Sequence, residues 1–241
     1  MMPVCPDRAP TEMSAATNDF RLLVFDWDGT LMDSIGPIVA CTQATIRELG
    51  LRELPEETIR GTIGLGLRET IDILSPGCDD ELFGRILECY RKRWVSVYRD
   101  MPLMFDGVIP MLQELAEEGY LLAVATGKSR RGLDYALQQT GLDDLFHATR
   151  TADEAFSKPH PQMLLDILDD LGIRPEQAVM IGDTTYDLEM ARSARTASIG
   201  VCTGSHGREE LERFGPLVCL QRVIELTPWL TGRAAEVALR G

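Results

Sequence analysis

The chain has 241 residues, 44% apolar and 26% charged, with 24 basic against 38 acidic side chains and a formal charge of −14. That composition belongs to an ordinary globular protein, long enough for one large domain or for one domain carrying a smaller one. The acid surplus argues against broad contact with nucleic acid or anionic membrane, both of which need a basic face, and leaves room for a local pocket that takes a small phosphate.

No apolar run reaches the ~20 residues that span a bilayer. Residues 1–18 lack the apolar stretch of a secretory signal and read as a loose N-terminal tail. Six cysteines (Cys5, Cys41, Cys78, Cys89, Cys202, Cys219) are scattered without a C-x-x-C pair. They read as small buried apolar groups of a cytoplasmic chain. His147, His160 and His206 do not supply the short spacing of a zinc site.

The first strand signal is Leu22-Leu23-Val24-Phe25, which ends abruptly at Asp26. From about Ser34 to Arg99 every periodic segment reads as helix. One runs from Ile38 to Leu49 and stops at Gly50, and a short one is opened by Pro55-Glu56-Glu57. A third lies within 66–74, and a long one spans 79–98 with Leu82, Ile86, Leu87, Tyr90, Trp94 and Val97 on one face. After Asp106 the pattern alternates. Helices are predicted over 108–118, 131–139, 161–171 and 186–194, with a closing helix from Val223. Strands are predicted over 121–125, 146–149, 178–181, 197–201 and 217–220. Such alternation implies a Rossmann-like three-layer α/β/α core, its parallel sheet covered on both faces and its site at the strands' carboxyl ends. The expected division is a core of residues 19–32 and 106–241 and an inserted all-helical cap of residues 33–105.

Four polar clusters fall at strand ends. Asp26-Trp27-Asp28-Gly29-Thr30 sets two carboxylates two residues apart, a placement that needs a cation or a shared proton. A calcium loop would need its glycine at the sixth position, and here it is fourth. Thr126-Gly127-Lys128-Ser129 lacks the earlier glycine of a nucleotide loop, since position 122 is Leu122. It offers a hydroxyl and backbone N–H groups at a helix start, a cradle for an anion. Arg130 and Arg131 follow in the first helical turn, where exposure is the simpler reading.

Ser157-Lys158-Pro159-His160-Pro161 fixes Lys158 in a proline-stiffened loop. The chain holds only three lysines beside twenty-one arginines, so a lysine held there points to phosphate binding and charge neutralisation, and His160 to a plain loop residue. Gly182-Asp183-Thr184-Thr185-Tyr186-Asp187 adds two carboxylates, the second at a helix start. Hard oxygens beside a phosphate site imply Mg²⁺. Gly64-Leu65-Gly66 follows no strand, and Gly204-Ser205-His206-Gly207 lacks the spacing of a serine-hydrolase elbow.

These four clusters, in this order, resemble the haloacid dehalogenase superfamily, and within it the phosphoglycolate-phosphatase-like hydrolases with a helical cap. The resemblance covers nearly the whole chain after Phe20. It implies Asp26 as nucleophile and Asp28 as the acid and base for the leaving oxygen and the attacking water. It implies Thr126, Gly127 and Lys158 as the holders of the phosphoryl oxygens. Mg²⁺ would be bound by Asp26, the Asp28 carbonyl and Asp183, with Asp187 assisting directly or through water. The loop 64–68 resembles the family's substrate-facing loop, and Arg60 and Arg68 could meet a substrate carboxylate or remain solvated helix arginines. Trp27 is bulkier than usual between the two aspartates, and Thr126-Gly127-Lys128 replaces the commoner Thr-Asn. Both could alter substrate fit.

The expected activity is Mg²⁺-dependent hydrolysis of a small phosphorylated metabolite through an aspartyl-phosphate. A sugar-phosphate mutase is the nearest alternative. Asp28 argues against a dehalogenase, and a phosphonate hydrolase would need a cap lysine, where only Lys92 in a basic run is present. A phospho-accepting regulator would be about half the length, without a helical insert.

Overall fold

In the computed structural model of the chain, the described residues are 20–98, 101 and 103–232. The tail expected over 1–18 lies outside them, as does the end of the closing helix. Six strands form one parallel sheet: β1 (Leu22–Phe25), β2 (Leu121–Thr126), β3 (Ala148–Thr151), β4 (Ala178–Gly182), β5 (Ala197–Val201) and β6 (Cys219–Leu220). Their spatial order is β3-β2-β1-β4-β5-β6. β1 is flanked by β2 and β4 in register, with Phe25 opposite Val124 on one side and Ile181 on the other. The order reverses between β1 and β4, and a crevice opens there at the carboxyl ends of the strands.

All four residues of β1 are buried, as a strand covered on both faces requires. Alternation sends Leu23 and Phe25 to one face, against Leu112 and Leu115 of α5 (Val108–Glu117) and Leu133 of α6 (Arg130–Thr140). Leu22 and Val24 face the other side, against Met163, Leu164 and Ile167 of α7 (Gln162–Leu171) and Met190 of α8 (Thr185–Ala194). Each of these large side chains contributes about 1.5–3 kcal/mol by leaving water. The sheet is therefore rigid where its strands end, which fixes the loops that follow them.

Between β1 and α5 the chain forms four helices: α1 (Ile35–Glu48), α2 (Glu56–Arg60), α3 (Leu67–Leu74) and α4 (Asp80–Tyr98). They gather around their own small cluster of Ile35, Val39, Ile46, Ile59 and Ile63. The expected helices and strands are all present, with differences at the edges. β3 begins two residues later than predicted because Phe146 is used as a core residue, edge-on to Trp27 at 6.2 Å. β6 keeps only two of its four expected residues, and Leu217 is exposed. A short helix α9 (Arg208–Glu212) was not expected. The closing segment is a 3-10 turn over 223–225 followed by α10 (Leu226–Leu230). The five cysteines among the described residues are free. No described helix is long and apolar enough to cross a membrane.

Candidate active site

Asp26 is the first residue after β1, and its backbone N–H donates to the Ile181 carbonyl of β4 at 2.9 Å. Asp183 is the first residue after β4. The sheet thus places these two carboxylates side by side at the switch point. Asp187 comes from the first turn of α8, and together the three side chains bring carboxylate oxygens within 4.8 Å of one another, all buried. Lys158 reaches into the same space: its Nζ lies 2.7 Å from Asp26 Oδ1 and 2.6 Å from Asp187 Oδ1. With 1% of its surface exposed, it is no solvated loop cation.

Asp183 is held on both oxygens. Thr30 Oγ1 donates to Oδ1 at 2.8 Å and the Ser205 N–H to Oδ2 at 2.8 Å. Asp187 does two jobs. Its Oδ2 accepts from the N–H and Oγ1 of Thr184 at 3.1 and 2.7 Å, closing a capping box on α8, while Oδ1 faces Lys158. Asp187 is thus a helix-start acid whose other oxygen meets Lys158. Asp26 Oδ2, by contrast, is buried and accepts no hydrogen bond.

Electrostatics follow from this burial. Loss of water pushes the Asp26 carboxyl up to about 7, with Lys158 pulling it down and Asp187 pushing it up. Burial likewise holds Asp183 well above the ordinary carboxylate range, with Asp26 and Asp187 adding to the effect. Burial alone would depress Lys158, but Asp187 and Asp26 more than offset it and keep it above the usual lysine value. Fully ionised, three carboxylates against one ammonium would leave two negative charges in a dry site, and burial therefore favours protonation of Asp26 and Asp183 unless a cation joins them. Hard oxygen donors, one of them unpartnered, and a deficit of two positive charges suit Mg²⁺.

Asp28 stands apart from this cluster. Its Oδ1 accepts from Ser34 Oγ at 2.5 Å and lies 2.9 Å from Lys128 Nζ, which also sits 5.6 Å above the Trp94 ring of α4. Its carboxylate is therefore not with the other three. Thr126, at the buried end of β2, accepts the Lys128 N–H at 3.3 Å and borders the same cavity as Asp26 and Asp28. Gly127 lies directly under the helical segment: a Cβ there would be 2.4 Å from the Leu65 carbonyl oxygen. The loop 64–68 is thus pressed onto β2's end. It is tied further by the Gly66 N–H to Ser157 Oγ at 2.7 Å, and Tyr186 OH donates to the Gly61 carbonyl at 2.8 Å.

Several sequence expectations need revision. At the start of α6 the Arg130 N–H already has a partner in the chain's own Asp153, at 2.8 Å, while Thr126 and Gly127 of the expected cradle border the cavity. Arg130 is not simply exposed: it pairs with Glu154 at 2.6 Å and Asp134 at 3.2 Å. Arg60 pairs with Glu56 on its own helix, and Arg68 pairs with Asp72 on α3 and Asp80 on α4, so both are engaged at the surface. Trp27 is fully buried in the core and its indole meets Met32, so its bulk does not shape the cavity. His160 is an exposed loop residue whose ring lies tilted against Phe156. Sequence reasoning gave no role to Ser34, Lys128 or Ser205. Gly204-Ser205, set aside as a failed hydrolase elbow, instead closes on Asp183; a Cβ at Gly204 would lie 1.8 Å from Asp183 Oδ2.

The chain is 36% identical to the probable phosphatase IndB of Dickeya dadantii over 213 residues, covering 85% of this chain and 91% of that protein. It is 32% identical to the pyrophosphatase PpaX of Listeria innocua over 212 residues, covering 87% and 96%. The crystal structure of a predicted phosphatase from Clostridium acetobutylicum matches with a TM-score of 0.77 at 25% identity, covering 88% of this chain and 99% of that one. A hydrolase from Pseudomonas syringae shares the fold with a TM-score of 0.80 at 24% identity, covering 88% and 98%. Residues 23–201 match the family of haloacid dehalogenase-like hydrolases, and the chain belongs to that family.

Proposed function

We propose that the chain is a Mg²⁺-dependent phosphatase that hydrolyses a small phosphomonoester through an aspartyl-phosphate on Asp26, with the helical segment 33–105 acting as a cap. The observation that carries this reading is the buried triad of Asp26, Asp183 and Asp187 with Lys158 as its sole ammonium. Asp26, the Asp28 carbonyl and Asp183 would hold the ion. Bound there, Mg²⁺ supplies positive charge that offsets repulsion between a carboxylate and a phosphate dianion.

In the first step an Asp26 oxygen attacks phosphorus and the bond to the alcohol oxygen breaks. The Asp28 carboxyl gives its proton to that leaving oxygen. In the second step a water attacks phosphorus, yields its proton to Asp28, and the Asp26–phosphorus bond breaks. Splitting one displacement into two in this way lowers each barrier, and the acid–base group contributes about 10²–10⁴-fold. Ser34 and Lys128 hold the Asp28 carboxylate in one orientation through both steps. Thr126, the Gly127 backbone and Lys158 bind the equatorial phosphoryl oxygens, where charge spreads in the transition state. Both Asp187 oxygens are engaged by Thr184 and Lys158, so its part is to orient that lysine, and it would add negative charge beside the ion.

The test is phosphate release from a panel of phosphomonoesters, with and without EDTA, for wild type and Asp26→Asn. Loss of turnover in both perturbations is expected. Turnover by Asp26→Asn equal to wild type would remove the nucleophile assignment, and indifference to EDTA would remove the ion.

A further inference from the structure

The site fixes the phosphoryl end of the substrate; the chemistry of the alcohol is written in the space beyond it. Asp26, Asp28, Thr126 and Lys128 border one part of a cavity of about 1660 Å³ that continues among α1, α2, α3 and α4. That is larger than the ~300–1,000 Å³ of an ordinary small-molecule pocket. Its walls in the helical segment are mainly aliphatic and aromatic, with Ile46, Ile59, Ile71, Leu87, Tyr90 and Trp94 among them.

A second observation concerns α4. This 19-residue helix carries a stripe of apolar side chains yet has no buried residue. Leu87, Tyr90 and Trp94 of that stripe border the cavity, so the helix spends part of its apolar face on open space. The cations complete the picture. Arg60 and Arg68 do not border the cavity and are already paired, Arg60 with Glu56 and Arg68 with Asp72 and Asp80. Lys128 is taken by Asp28, and Arg130 by Glu154 and Asp134. Arg52, Arg91, Lys92 and Arg131, which do border it, are solvent-exposed. Among the described residues, no buried, unengaged cation borders the cavity to greet a carboxylate or a second phosphate.

We infer that the alcohol carried by the physiological phosphomonoester is a bulky apolar group, alkyl or aryl, seated against α4. The inference rests on the phosphatase reading above. It separates this chain's substrate from glycolate-sized ones, which would leave the apolar wall uncovered, and from doubly anionic ones, for which the cavity offers only solvated cations at its exposed rim.

The test uses a homologous series of unbranched alkyl phosphates, ethyl to octyl, whose leaving-group basicity is nearly constant. Each methylene moved from water into the cavity contributes up to about fourfold. The value of kcat/KM in Mg²⁺ is expected to rise about two- to fourfold per methylene until the space is filled, with butyl phosphate exceeding phosphoglycolate. A flat or falling series, or preference for phosphoglycolate, would overturn the inference. The same series is titrated calorimetrically into Asp26→Asn, where affinity is expected to rise with chain length. Rising affinity without any turnover by wild type would sink the phosphatase reading alone, while turnover without length dependence would sink the inference alone. Leu87→Gln, at a half-buried position on α4, is expected to flatten the dependence in both measurements.

Discussion

Lys158→Met keeps the length of the side chain and removes its charge from between Asp26 and Asp187. Breaking a buried ion pair by deleting one partner costs about 3–5 kcal/mol, which in a domain of this size lowers Tm by about 6–20 °C. The loss has a direction in pH. Burial raises Asp26 from 3.8 to about 7, so the folded chain keeps a proton that the unfolded chain has released. Stability from that proton is complete below the unfolded value and is lost as pH rises through about 7, about 4 kcal/mol in all. Lys158 lowers the Asp26 value. Without it Asp26 stays protonated to higher pH, and the methionine variant escapes part of its penalty in mild acid. Thermal melts in EDTA are therefore expected to show a larger deficit at about pH 8.5 than at about pH 5.5, by about 1–3 kcal/mol, the equivalent of displacing the Asp26 pKa by one to two. An equal deficit at both values, or an unchanged Tm, would refute the coupling of Lys158 to these carboxylates.

In wild type, Mg²⁺ at a hundred times its Kd is expected to raise Tm through about 2.7 kcal/mol of linkage. Asp183→Asn should abolish that rise, which differential scanning calorimetry would detect. Gly127→Ala puts a Cβ 2.4 Å from the Leu65 carbonyl. It should lift the loop 64–68 and lower kcat/KM by about ten- to a hundredfold, and unchanged kinetics would show that this contact does not position the helical segment. Arg68→Ala removes an exposed cation paired with Asp72 and Asp80. It should leave both Tm and phosphate release at the wild-type level, since exposed pairs contribute little.

Much of the architecture is legible in the sequence because its central strands are buried on both faces. Runs such as Leu22–Phe25 and Ala178–Ile181 have no competing interpretation once polar clusters close them. The edges were harder to read. Phe146 carries a strand-like signal but serves the core, and β6 needs only two residues to pair at the sheet's margin. The carboxylates of the site were readable for the same reason as the strands: an acid at the end of a buried run is costly without a partner. What could not be read were partners brought from afar. Thr30 and Ser205 meet at Asp183 only because the loops after β1 and β5 fold over the end of β4. The ion pair between Lys128 and Asp28 joins the ends of two adjacent strands, and Trp94 covers it from a helix far along the chain. At the start of α6 the chain itself supplies an acceptor for one N–H, Asp153 for Arg130. Local chemistry predicts that a group is needed there, and only the tertiary structure says whether protein or substrate supplies it.

The central claim is that Asp26 carries the phosphoryl group. Rapid mixing of Mg²⁺-loaded enzyme with a turned-over phosphomonoester, quenched with borohydride, reduces an acyl phosphate to an alcohol that peptide mass spectrometry can locate. Homoserine at position 26, absent without substrate and absent in Asp26→Asn, is the expected result. Phosphate release in full with no modification at that position, or modification at another carboxylate, would contradict the account.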